Sequence, residues 1–311
     1  MSHPCSPGES GKPTDAIPAT GRGRRRLVGP KLWSGVVGVP ILMVLLHFGG
    51  WPLFIASLVT TLVGLEEFYR GVGRKGIYPV RTAGYACAAG ILAATQFVSY
   101  DAAWRSGVII ACLAGSVLLS MIAQFWRPPN TSVIANTGAT VFGVVWVGLL
   151  FSFFLRLRLV EMSCLPGIPV GGFRDRMGAV FLVILAVWLQ DNAAQLTGRT
   201  FGTKKPWPHI SPNKTWEGCA GGLVACVMAT TVVGSGFGLQ PLHMLLLGLV
   251  MGVLGQLGDF CKSLIKREIE VKDFGSVIPG HGGVLDRFDS LLFAMPVGYL
   301  YFRLFVMPLS P

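Results

Sequence analysis

Ser263-Leu264-Ile265-Lys266-Arg267, then Lys272-Asp273, then Gly280-His281-Gly282-Gly283-Val284-Leu285-Asp286-Arg287-Phe288-Asp289-Ser290 places charge and glycine between two strongly apolar runs, at residues 242–262 and 288–308. Each run has roughly the 17 to 25 residues a helix needs to cross a hydrocarbon core. Ionisable groups at such a boundary are costly unless they face a protein interior or a polar cavity, so this segment is a functional candidate by position alone.

Outward from it the same pattern repeats. The chain has 311 residues, 52% hydrophobic and only 13% charged, where a soluble domain carries about 25% charged residues. With a mean hydropathy of +0.59 it reads as an all-α, polytopic integral membrane protein. Nine apolar runs qualify as spans, at residues 33–49, 51–69, 82–99, 106–126, 133–155, 178–197, 218–237, 242–262 and 288–308, with eight as the alternative count. The expected organisation is a disordered basic cytoplasmic arm (1–32), an N-terminal transmembrane region (33–177) and a C-terminal transmembrane catalytic region (178–311).

The net charge of +11 does not indicate nucleic acid, because the basic residues flank apolar runs rather than line one face; they read as orientation signals. Arg22, Arg24, Arg25 and Arg26 precede the first run, in a Pro-, Gly- and Ser-rich arm. A cleavable signal peptide is not expected. With that arm inside, Arg70, Arg74, Lys75 and Arg81 follow the second span, Arg127 the fourth, Arg199, Lys204, Lys205 and Lys214 the sixth, and Lys266, Arg267, Lys272 and Arg287 the eighth. Arg156, Arg158, Arg174 and Arg176 then fall outside, which points to a miscounted span or a partly re-entrant loop. The seven cysteines form no Cys-x-x-Cys pair and read as small packing residues rather than zinc ligands. Trp33, Trp51, Trp104, Trp126 and Trp146 mostly suit predicted interfaces.

Eight of the 15 acidic residues lie between Asp191 and Asp289. Asp191, Asp259 and Asp286 touch predicted spans. Asp259, Lys262, Ser263 and Lys266 fall at i, i+3, i+4 and i+7 and share one helical face; Asp286 and Asp289 share another. On spacing alone two readings stand level: an ion-pair network holding helices together, such as Asp259 with Lys262 or Lys266, or two carboxylate faces converging on one hard cation such as Mg²⁺. The glycines of the intervening loop let backbone amides approach phosphate.

The stretch at 263–289 resembles the signature of the CDP-diacylglycerol synthases (phosphatidate cytidylyltransferases): Ser-x-x-Lys-Arg, four variable residues, Lys-Asp, then His-Gly-Gly-x-x-Asp-Arg-x-Asp. A second segment is similar to that family's upstream motif: Asp191-Asn192-Ala193-Ala194, Gly198-Arg199-Thr200-Phe201-Gly202, and Ile210-Ser211-Pro212-Asn213-Lys214-Thr215-Trp216-Glu217-Gly218. Here Gln195 stands where an aromatic residue is usual and Thr203 where a basic one is usual, so neither takes a role from the family. The resemblance covers residues 185–292 in detail.

It implies a metal centre of Asp259, Asp286 and Asp289, holding Mg²⁺ with room for a second cation. It implies catalytic roles for Asp259, Lys266, Asp286 and Arg287. Substrate would be met by Arg267, Lys272, Gly282, Gly283, Ser211, Lys214, Arg199 and Asp191, and by His281, which could donate to a phosphate oxygen and for which a purely structural hydrogen bond is the equal alternative. Glu66 and Glu67 also resemble a family feature, but interfacial solvation is the reading taken for them. The implied reaction joins CTP to phosphatidic acid, giving CDP-diacylglycerol and pyrophosphate. The partners are then CTP, phosphatidic acid and membrane lipids, with no nucleic acid and with a homodimer compatible. The implied location is a bacterial inner (cell) membrane with the site facing the cytoplasm. A CTP-dependent polyprenol or phytol kinase, and an ion-coupled transporter, are the rival readings.

Overall fold

A computed structural model describes residues 30–98, 102–128, 131–162, 172–275 and 282–307. Among them there are ten α-helices: α1 (Pro30–Phe48), α2 (Gly50–Gly73), α3 (Arg81–Phe97), α4 (Ala102–Ala123), α5 (Val133–Gly143), α6 (Leu150–Arg158), α7 (Phe173–Phe201), α8 (Trp216–Gly236), α9 (Pro241–Glu268) and α10 (Leu285–Tyr301). A wide-turn stretch, Val144–Leu149, fuses α5 and α6 into one rod. Nine rods result, each over one of the nine apolar runs. Seven are long and apolar enough to cross a membrane; α3, at 17 residues, is the shorter exception outside α1.

Local chemistry sets the helix ends. Thr215 caps α8, its hydroxyl accepting from the Gly218 N–H at 3.1 Å, with Glu217 in the first turn favourable to the dipole. Pro241 opens α9, where its missing N–H costs nothing, and Lys266 and Arg267 close it. The start of α10 borrows its cap from α2, as described below.

Cross-helix contacts sort the ends onto two faces. On the first, the Tyr78 N–H donates to Asn136 Oδ1 (2.6 Å), the Val80 N–H to Thr140 Oγ1 (2.8 Å), and Asn136 Nδ2 to Gln124 Oε1 (3.1 Å). Lys75 pairs with Glu270 at 2.5 Å, which holds that exposed carboxyl below the usual range. On the opposite face Arg158 Nε donates to the Leu46 carbonyl (2.7 Å), Phe173 meets Phe237, and His243 Nδ1 lies 3.2 Å from the Tyr301 hydroxyl. The rods therefore alternate strictly. The arginines after the fifth span need no miscounted helix: Arg158 caps the end of α1, and the Arg156 guanidinium stacks 5.0 Å above Phe153 and 5.7 Å above Tyr299. The side chains of Arg174 and Arg176, the basic arm up to residue 29, the side chain of Trp33, Cys5, Cys164 and His281 lie outside the described residues.

One core runs through both halves, including Leu46, Leu65, Tyr69, Leu155, Val183, Ile184, Met251, Leu292 and Phe302. Large apolar side chains cover the outside, as on α4 with Ile110 and Leu118 and on α8 with Val224, Met228 and Val232. An exterior this apolar suits lipid rather than water. Trp51, Trp104 and Trp126 are exposed near helix ends, as interfacial rings should be. Trp146 departs from that expectation: it is buried against Phe68 and Phe274, because it lies midway along the α5–α6 rod. The five described cysteines are free thiols.

α7 and α8 cross closely through glycine. A Cβ on Gly218 would come within 2.8 Å of the Ala194 carbonyl oxygen, and one on Gly198 within 3.1 Å of Thr215 Oγ1. The repeated glycines of this segment thus serve helix approach, the usual use of small residues between membrane helices.

Candidate active site

The charged site is built where α2, α7, α9 and α10 end on the first face. α10 begins with no capping side chain of its own. Instead Glu67, from α2, accepts the Val284 N–H at 2.9 Å and the Leu285 N–H at 3.0 Å. Only 4% of Glu67 is exposed. A negative charge at a helix N-terminus is favourable electrostatically and satisfies donors the helix leaves unpaired. Gly275 and Gly283 flank this carboxylate so tightly that a Cβ on either would collide with it. Gly282 adopts φ +80°, a conformation costly for residues with a Cβ. Gly275, Gly282 and Gly283 therefore have two structural uses: a left-handed turn and room for Glu67. The expectation of interfacial solvation fails for Glu67, which is buried. Glu66 keeps a partly solvated position, its carboxylate pairing with the exposed Arg70 and Arg81 (2.9 Å) and accepting from the Tyr85 hydroxyl.

With α10 so fixed, Asp286 and Asp289 point toward α9. Asp286 Oδ2 accepts the backbone N–H of Phe274 (3.1 Å) and of Gly283 (3.3 Å), and its Oδ1 pairs with Lys266 at 2.8 Å. Lys266 also lies 3.5 Å from Asp273. Lys262 sits between the two helices: its ammonium contacts Asp289 directly, and lies 3.5 Å from Asp259 Oδ1 and 3.9 Å from Asp286 Oδ1. Its side chain is 9% exposed. The shared helical face read from spacing is thus partitioned: Lys262, one turn from Asp259, reaches it, while Lys266 turns to Asp286.

The 199–218 segment closes on the same cluster. Lys214 Nζ lies 2.5 Å from Asp259 Oδ2 and 4.0 Å above the Phe260 ring. Arg267 Nε donates to the Ile210 carbonyl at 3.1 Å, so Lys266 and Arg267, neighbours in sequence, face different partners. Glu217 pins the loop by accepting from the Thr203 hydroxyl (2.5 Å) and the Lys204 N–H (3.3 Å). Thr203, where a basic residue was usual, is a loop anchor here. On α7 the Asp191 carboxylate is 3.4 Å from Ser290 Oγ. Ser211 sits in the turn beside Lys214, its carbonyl accepting that residue's N–H at 3.4 Å.

Asp259, Lys266, Asp286, Asp289 and Lys214 are thus brought together, with Asp191, Arg267, Ser211, Gly282 and Gly283 around them. Arg199, Lys272 and Arg287 are exposed. Lys262 and Glu67 are the residues that sequence reasoning did not place in the site. Lys262 carried a signal in its i+3 spacing from Asp259. Glu67 carried only its resemblance to a family feature, since no spacing links it to a helix more than 200 positions away.

Carboxylate oxygens are the donors a hard divalent cation takes, and three of them from two helices already meet at one cationic nitrogen. Asp259, Asp286 and Asp289 supply oxygens of the kind such an ion takes, and are the residues that would hold one. Lys262 is interposed: among the described residues no three His, Cys, Asp or Glu side chains stand close enough together to hold an ion as they are.

A polytopic helical membrane protein that gathers carboxylates, lysines and an arginine at one membrane face has the equipment of a membrane enzyme handling phosphate. The sequence profile of the cytidylyltransferase family matches residues 31–305. The chain is 31% identical over 276 residues to the phosphatidate cytidylyltransferase of Bacillus subtilis (strain 168), covering 88% of this chain and 96% of that protein. It is 29% identical over 295 residues to the one from Synechocystis sp., covering 89% and 97%. It is 32% identical over 291 residues to the chloroplastic phosphatidate cytidylyltransferase 4 of Arabidopsis thaliana, covering 86% and 71%. The chain belongs to the cytidylyltransferase family.

Proposed function

We propose that this protein transfers the cytidylyl group of CTP to phosphatidic acid, releasing pyrophosphate and forming CDP-diacylglycerol. The observation that carries the reading is the convergence of two distant segments on one carboxylate centre, Lys214 on Asp259 and Arg267 on the Ile210 carbonyl. The lipid phosphate is already anionic at neutral pH, so no protein nucleophile is required; the obstacle is repulsion between two polyanions. Asp259, Asp286 and Asp289 would hold Mg²⁺, with a second cation accommodated. Such an ion would supply neutralisation of phosphate oxygens and of the charge developing on pyrophosphate.

The chain's own cations do the rest. Lys266, held by Asp286 and Asp273, is placed to stabilise charge at the reacting phosphate. Arg267 presents a planar guanidinium suited to a phosphate monoester, and Arg199, Lys272 and Arg287 gather the anions from the rim. Glu67 fixes the helix that carries Asp286 and Asp289.

In a bacterial cell the reading calls for the inner membrane, with the charged face toward the cytoplasm, where CTP is made. Arg70, Arg74, Lys75, Arg127, Lys204 and Lys205 near that face support the orientation. The test is incubation of the purified protein in lipid with α-labelled CTP and phosphatidic acid. Label should enter a CDP-lipid, with one pyrophosphate released per product and no reaction when divalent cations are chelated. Transfer of a γ-label to a lipid alcohol instead would identify a lipid kinase and refute the reading.

A further inference from the structure

The carboxylate centre contains its own cation. Lys262 is 7% exposed and, among the described residues, is the one cationic side chain within 4 Å of Asp259, Asp286 and Asp289 together. Lys214 reaches only Asp259 of the three, and Lys266 only Asp286. Asp286 has backbone donors besides. Among the described residues Asp289 accepts the Ser290 N–H at 2.8 Å and otherwise meets Lys262 and the Asp259 carboxyl. Three carboxylates near membrane depth repel one another strongly in a medium of low dielectric unless a cation lies between them. An ammonium on a four-carbon stem is a compact, mobile point charge. It cannot share the same oxygens with a divalent ion.

We propose that Lys262 is the resident counter-cation of this centre: it holds the three carboxylates together while no divalent cation is bound, and leaves their oxygens when one binds. The proposal rests on the metal reading above and adds a competition to it. The metal must displace a charge already present, so empty protein stays folded and the metal binds more weakly than the bare carboxylates would allow. Once displaced, the ammonium stays tethered beside the site, in reach of the phosphate the metal brings.

The probe is Mn²⁺ alone, without nucleotide, titrated into full-length protein in lipid nanodiscs and followed by the paramagnetic resonance of free Mn²⁺. Thermal unfolding is measured in parallel with and without Mg²⁺. Lys262→Gln should bind Mn²⁺ about tenfold tighter than wild type, the effect of removing one unit of pKa-scale competition. Its unfolding midpoint should fall without metal and rise on adding Mg²⁺ by more than that of wild type. Equal or weaker Mn²⁺ binding by Lys262→Gln, with wild type binding normally, would overturn the counter-cation role alone. No Mn²⁺ binding by wild type would overturn the metal reading as well. If the single variant cannot be recovered metal-free, the double variant Lys262→Gln/Asp289→Asn, which removes the charge together with its partner, should be recoverable; failure there would refute compensation as Lys262's role.

Discussion

Glu67→Ala tests whether the active site is held from α2. The substitution removes the acceptor of two backbone donors, the partly buried Val284 N–H and the buried Leu285 N–H. Each buried donor left unpaired costs about 1–3 kcal/mol, and the lost charge at a helix N-terminus adds about 0.3–1 kcal/mol. The sum is on the order of 2–7 kcal/mol, less whatever a water entering the vacated space returns. For a chain of this size each kcal/mol moves the midpoint by roughly 2 °C, so a fall on the order of 5–14 °C is expected. Activity should fall further than stability suggests, because the first turn of α10 carries Asp286 and a shift of about 1 Å at a reacting centre can cost about a hundredfold. Glu67→Gln keeps one acceptor and should lie between. Glu66→Gln, next door, loses only partly solvated pairs with Arg70 and Arg81, each of which contributes about 0–1 kcal/mol. The assay is tryptophan-monitored unfolding in nanodiscs alongside turnover with both substrates saturating. If Glu67→Ala matches wild type in both, or if Glu66→Gln is the more damaging, the cap assigned to Glu67 is wrong.

Asp259→Asn and Asp286→Asn should each abolish turnover while leaving protein inserted and monodisperse; near wild-type rates at ordinary Mg²⁺ would remove that residue from the metal site. Lys266→Ala should lower kcat by about 10²–10³ at saturating substrates, the usual loss for one preorganised charge-stabilising group. Arg267→Ala should mainly raise the KM for phosphatidic acid; equal kcat losses with unchanged KM values would show that their divergent contacts do not divide their roles. On a cysteine-free background, Ser211→Cys and Lys272→Cys should react with an impermeant thiol reagent from the same side of sealed vesicles, and Trp104→Cys from the other. Labelling of the first two from opposite sides would exclude a shared site.

The sequence by itself determined the nine rods, because span length and hydropathy are local properties and lipid leaves the backbone few alternatives to helix. It also singled out the two segments that meet in the charged cluster, since their residue types and spacing are read directly along the chain. Only the tertiary structure decided which charges meet. Helical spacing places Asp259 and Lys266 on one face, but seven residues separate them by about 10.5 Å along the axis, so Lys266 pairs across to Asp286 while Lys262 and Lys214 take Asp259. Trp146 reads as an interfacial ring in sequence and is buried in fact. Arg158 reads as a topology signal and caps a neighbouring helix. Glu67 reads as a solvated end and holds the catalytic helix in place. Each depends on how far one helix is rotated and slid against another, a quantity set by side-chain packing over the whole bundle and carried by no single stretch of the chain.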